Sequence, residues 1–157
     1  MKMLKTFSFD YTENVYPRWS YKTDGAAVIS KNFIKLIPPV ANRAGEIILR
    51  KKLRSQSFQA DVNFKILSSQ NNNPYGFAIW FINSEKPIKD SKGSLFGFKG
   101  DYSGLGVFVM KHTSGSWIIH ANQNSGMEEY KISENAINEN NGCTILGPVE
   151  NFARTVR

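Results

Sequence analysis

Hydrophobic side chains alternate with polar ones over residues 58–66, where Phe58, Ala60, Val62, Phe64 and Ile66 are separated by Gln59, Asp61, Asn63 and Lys65. A period of two predicts a half-buried strand. After the polar, Asn-rich turn 68–74, residues 76–82 (Gly-Phe-Ala-Ile-Trp-Phe-Ile) are apolar at every position past the glycine. That pattern predicts a strand covered on both faces, as in the centre of a packed sheet. The same reasoning predicts strands near 7–11, 27–29, 33–37, 46–51, 105–110 and 117–120, with a weaker one at 129–132. Pro38-Pro39 ends one of them. From Ser133 to residue 157 the alternation fades into an irregular polar tail.

No stretch shows the 3.6-residue period of a three-turn amphipathic helix, and Gly, Pro and Asn turns punctuate the short strands. Glycines 93, 97, 100, 104 and 106 crowd one loop and the strand after it. Together these predict an all-β, antiparallel two-sheet sandwich of the jelly-roll type. The 157 residues, with 11 Phe, 6 Tyr and 3 Trp, suffice for one domain with its own core. The expectation is a single domain over 1–157.

Charge changes the picture little. The chain carries a formal +7, and the excess lies in the first 65 residues, which hold twelve Lys and Arg against five Asp and Glu. Its densest point, Arg50, Lys51, Lys52 and Arg54, lies between apolar segments without a recognition helix or stacking motif. It reads as a solvated strand end, and no nucleic-acid partner is expected. The single cysteine, Cys143, excludes an internal disulfide framework. Neither a signal-peptide core nor a stretch approaching 20 apolar residues occurs, so any membrane attachment would need segments outside this chain. Without an Asn-x-Ser/Thr acceptor, N-glycosylation is not expected.

Catalytic patterns are poorly represented. His112 and His120 are eight residues apart, a spacing that pairs them on neither a helix turn nor alternate strand positions. There is no Gly-x-Ser-x-Gly elbow, no context that activates Cys143, and no phosphate loop among Gly97, Gly100, Gly104 and Gly106. A jelly-roll glycosidase needs paired carboxylates facing its cleft. The segments 77–82 and 105–110 contain no acid, and Asp61 and Glu129 alternate outward. The sequence predicts a binding module, not an enzyme.

Three pieces, in order, resemble one family. The first is Trp19 with Gly25-Ala-Ala-Val-Ile-Ser, then Ile34-Lys-Leu-Ile-Pro and Ala44-Gly-Glu-Ile. The second is the alternating segment from Phe58 leading into Tyr75-Gly-Phe-Ala-Ile-Trp-Phe81. The third is Gly93-Ser-Leu-Phe-Gly97 followed by Asp101-Tyr-Ser-Gly-Leu-Gly-Val-Phe108. Over about residues 5–132 these resemble the L-type, legume-like lectin domain of ER-Golgi cargo receptors, and the run Gly-Leu-Gly-Val-Phe-Val-Met-Lys is similar to the fungal branch.

The resemblance implies a concanavalin- or legume-lectin-like sandwich, high-mannose glycans of glycoprotein cargo as ligands, and the early secretory pathway as location. It also implies a homologous receptor chain as a further partner. Family domains continue with strands beyond this chain, including a partner for Cys143, so an incomplete domain is expected. The implied calcium site does not transfer. Tyr75 stands where the family has Asp before the Gly of the Gly-x-Ala-x-Trp strand, and Met110 stands for an Asp. Ser114 replaces an Asn, Ser125 an Asp, and Asn122 the sugar-contacting His. Calcium takes six to eight oxygens, several of them carboxylates, so neither a metal nor any other cofactor is expected. Sugar contact would then fall to Tyr75, Gly76, Ser114, Asn122 and Asn124, with a ring stacked on Tyr75 and amides reading hydroxyls. The alternative is a protein–protein interaction module on the same sandwich without sugar binding.

Overall fold

The computed structural model describes residues 8–9, 21–38, 40, 43–55, 57–66, 76–84, 93–111, 116–132, 142–145 and 153–156. Among them every regular element is a strand and every pairing is antiparallel. The chain divides into two units, Met1–Ala60 and Asp61–Arg157.

In the first unit β1 (Tyr21–Gly25) pairs with β4 (Gly45–Leu49), from Tyr21 opposite Leu49 to Gly25 opposite Gly45. A two-residue pair, β2 (Val28–Ile29) with β3 (Ile34–Lys35), accompanies it. The strand β1 is not predicted by its sequence. Tyr-Lys-Thr-Asp-Gly lacks apolar alternation and owes its form to the ladder with β4. At its end Gly25 adopts φ 65°, in the left-handed region that a side chain disfavours. Arg50, Lys51, Lys52 and Arg54, just past β4, are exposed.

In the second unit β5 (Val62–Lys65) pairs with β10 (Ala153–Val156). A four-stranded sheet runs in the order β6 (Gly76–Ile82), β7 (Ser103–Lys111), β8 (Trp117–Ser125), β9 (Gly142–Ile145). The alternation of β7 builds a core on each face. Phe108 and Met110 pack with Leu95, Tyr102 and Ile118 on one side, joined by Ala78, Trp80 and Ile82 of β6. Val109 and Trp117 pack on the other with Phe64, Ile66, Phe77 and Ile119. Phe108 and Val109 are fully buried, each worth about 1.5–3 kcal/mol of transfer free energy. Trp80 sets its ring against Phe98, Tyr102 and Phe108 at centroid distances of 4.9, 5.0 and 5.2 Å.

Several expectations change. β6 ends the order of its sheet among the described residues rather than lying at its centre, because segments 95–102 and 130–132 on one face and β5 on the other supply the cover. β8 runs five residues past His120 into polar sequence, carried by its continuing ladder with β7. Residues 129–132 form no strand, although Tyr130 and Ile132 still reach the core. The segment from 133 onward, read as an irregular tail, contributes β9 and β10, each four residues long and too short for a period to show. Of the expected strand at 7–11, residues 8–9 are described and are not in a strand; the remainder lies outside the described residues. Cys143, on β9, is free and exposed.

Candidate functional site

The register of β6, β7 and β8 fixes where the sequence-predicted contacts fall. Gly76 lies opposite Met110, which lies opposite Ile118. Asn122 and Asn124 are four and six residues further along β8, opposite Gly106 and Gly104. At about 3.3 Å per residue those offsets are roughly 13 and 20 Å. Gly76 and the two asparagines therefore belong to opposite ends of the sheet. Tyr75 and Ser114 lie outside the described residues, as does His112.

At the Gly76 end the backbone is closely covered. A Cβ on Gly76 would come 2.9 Å from the Cα of Met110 and 3.0 Å from Cε1 of Phe96. Phe96 is a non-glycine residue at φ 47°, 36% exposed, with its ring 5.8 Å from that of Phe108. A left-handed phenylalanine is an uncommon conformation held by its surroundings. Met110 turns its side chain into the core.

At the other end the polar side chains are tied to the fold. The Tyr102 hydroxyl donates to Asn122 Oδ1 at 2.7 Å, with the carbonyl oxygen of the same residue 3.0 Å away. Burial pushes that hydroxyl up from 10.0 to about 12, and like-charge repulsion with Tyr130 adds to it. Asn124 Nδ2 donates to the carbonyls of Gly100 and Glu128, at 3.0 and 2.9 Å, and its Oδ1 accepts from the Gly126 N–H at 3.3 Å. Both amide hydrogens of Asn124 are thus engaged, which makes it a clasp between loops. The buried His120 lies about 6 Å from the rings of both Phe108 and Tyr130, which are 5.9 Å from each other, and its Nε2 is 2.6 Å from the Tyr130 hydroxyl.

Beside this clasp is an open pocket of about 360 Å³ lined by Gly93, Ser94, Lys99, Gly100, Asp101 and Glu129. Glycine spacing marks 93–100 as a loop, but its meeting with Glu129 depends on the Tyr130 N–H reaching the Gly100 carbonyl at 3.0 Å. No single-sequence signal gives that contact.

Antiparallel sheets with an apolar core on each face of β7 define an all-β fold of the sandwich class. The model of the legume-like lectin family matches residues 2–154, and the chain belongs to that family. Membership places it among binding proteins rather than enzymes. Similar solved structures include the VIP36 exoplasmic/lumenal domain in its Ca2+/Man2-bound form, with a TM-score of 0.69 and 18% identity over 87% of this chain and 58% of that one. The Ca2+/Man3GlcNAc-bound form gives a TM-score of 0.64 at 18% identity, covering 88% of this chain and 60% of that one. The Ca2+-bound form gives 0.63 at 18%, covering 91% and 61%. The chain spans about three fifths of the length of these domains. The likeness shows the fold: all-β, antiparallel and legume-lectin-like, as the strand pattern and the resemblance predicted.

Proposed function

We propose that this chain is the carbohydrate-binding domain of a glycoprotein cargo receptor of the early secretory pathway, taking mannose-containing glycans without calcium. The family match over residues 2–154 carries this reading. Support for mannose comes from the VIP36 domains with Man2 and Man3GlcNAc bound, and VIP36 being a lumenal domain supports the location. Sugar contact is assigned to Tyr75, Gly76 and Ser114. Asn122 and Asn124 keep a positioning role at the opposite end.

Among the described residues, Met110 and Ser125 do not fit calcium. Met110 offers only a thioether, and that is packed in the core. Ser125 lies opposite Ser103, seven residues along β7 from Met110, roughly 23 Å at about 3.3 Å per residue. These positions cannot share one ion, whose oxygen ligands lie at about 2.3–2.6 Å.

Calorimetric titration with Man2 is expected to give the same affinity in calcium and in chelator, and Tyr75→Ala to remove the binding assigned to Tyr75 and Gly76. Calcium should leave the thermal midpoint unmoved, since a ligand bound only by the native state must raise it. A calcium-dependent rise of several degrees would overturn the metal-independent reading. A second reading, a protein-interaction module, is favoured by the exposed run Arg50, Lys51, Lys52 and Arg54. Absence of binding to any mannoside would select it.

A further inference from the structure

We propose that the pocket between loop 93–101 and Glu129 is a second binding site, for a neutral, hydroxyl-rich ligand such as a sugar ring. The inference rests on the carbohydrate reading for the class of ligand, but places it at the end of the sheet opposite Gly76.

The lining defines the chemistry. Asp101 and Glu129 supply carboxylates that only accept hydrogen bonds, Lys99 an ammonium that only donates, and Ser94 a hydroxyl that does both. Adjacent sugar hydroxyls, each able to donate and accept, match that mixture. With Lys131 3.2 Å from Glu129, two carboxylates are matched by two ammoniums, and the balance favours a neutral ligand over phosphate or sulfate. The ammoniums and the shortage of oxygen ligands disfavour a divalent cation. The volume of about 360 Å³ is at the small end of the range of about 300–1,000 Å³ for small-molecule sites. That suits one or two rings.

The walls are already in place. The buried Gly100 accepts at its carbonyl from both the Tyr130 N–H and Asn124 Nδ2, each at 3.0 Å, which joins loop 93–101 to the Glu129 segment. Within the loop Leu95 and Phe98 exchange backbone hydrogen bonds at 3.0 and 2.8 Å. A Cβ on Gly100 would come 2.6 Å from Glu129 Cγ and 2.7 Å from the Tyr130 carbonyl oxygen, so the close approach requires glycine there. A preformed site avoids the cost of ordering its walls on binding. Among the described residues Ser94, Lys99 and Asp101 make no side-chain hydrogen bond or ion pair, and Glu129 meets only the exposed Lys131, at 3.2 Å. The polar groups are available to a ligand.

The test is a titration of the isotopically labelled 157-residue chain with methyl α-mannoside and with Man2, followed by amide chemical shifts. Saturable shifts at Gly93, Gly100, Asp101 and Glu129 are expected, and Asp101→Asn combined with Glu129→Gln should weaken them about tenfold or more with an unchanged melt. Shifts confined to the neighbourhood of Gly76 would overturn this site and leave the lectin reading standing. No shift with either saccharide would overturn both. If the double variant is unstable, Lys99→Ala with Ser94→Ala replaces it, and undiminished shifts at the pocket in that variant would count against the proposal.

Discussion

Asn124→Asp should destabilise the chain more than Asn124→Ala, although it is the closer replacement in shape. Asn124 donates from Nδ2 to the Gly100 and Glu128 carbonyls at 3.0 and 2.9 Å and accepts from Gly126 at a longer 3.3 Å. Alanine removes all three contacts. The Gly100 carbonyl keeps its bond from Tyr130, and the exposed Glu128 backbone can take water. At about 0.5–1.5 kcal/mol net per hydrogen bond, the three together put the alanine loss at about 1.5–4.5 kcal/mol, toward the lower end because the two carbonyls keep other partners. Aspartate keeps the acceptor but turns a carboxylate oxygen toward the two carbonyl oxygens. Burying that unmatched charge adds about 1–3 kcal/mol. The folded state then disfavours the charged form, which raises the introduced carboxyl above its unfolded value. The extra loss is therefore absent below about pH 4 and grows as pH rises. Urea unfolding followed by tryptophan fluorescence, at pH 7 and at pH 4, measures both. The aspartate midpoint should be lower at pH 7 and move toward the alanine midpoint at pH 4. Equal midpoints at pH 7 would refute the clasp.

The buried Tyr102 hydroxyl, pushed up to about 12, holds its proton in the folded chain after the unfolded chain releases it near 10. Stability should therefore fall between pH 10 and 12, and solvent screening reduces the two-unit shift to about 1–2 kcal/mol. Tyr102→Phe should flatten that fall in a pH series of urea midpoints, and an unchanged fall would contradict the assignment. Phe108→Ala, at a fully buried position, should cost about 3–5 kcal/mol by the same measurement. A loss under about 1 kcal/mol would mean that the core on its face of β7 is not packed as described.

What the sequence made legible followed the apolar pattern. The bounds of β6 match the apolar run 76–82, and the alternation of β7 predicts opposite faces for Phe108 and Val109. Polar strands were hidden for a physical reason. β1 and the outer half of β8 are held by ladders with β4 and β7, so their side chains need not alternate. Register was the larger loss at the site. Aligning Asn122 and Asn124 with the Gly76 end requires knowing which residues of β7 and β8 face each other, and no local pattern supplies that pairing. Asn124 was recognisable as an amide that reads neighbours, but the neighbours are the carbonyls of its own loops.

The pairing of β5 with β10 also sets a timetable. About 90 residues separate Lys65 from Ala153, its partner, and synthesis at about 5–20 residues per second leaves β5 waiting on the order of 5–20 s. During that interval Val62 to Lys65 present an open hydrogen-bonding edge. Closure between such distant segments is slow. The nascent chain is thus most exposed to wrong strand partners just before β10 emerges, and a chaperone that shields the β5 edge would act in that window.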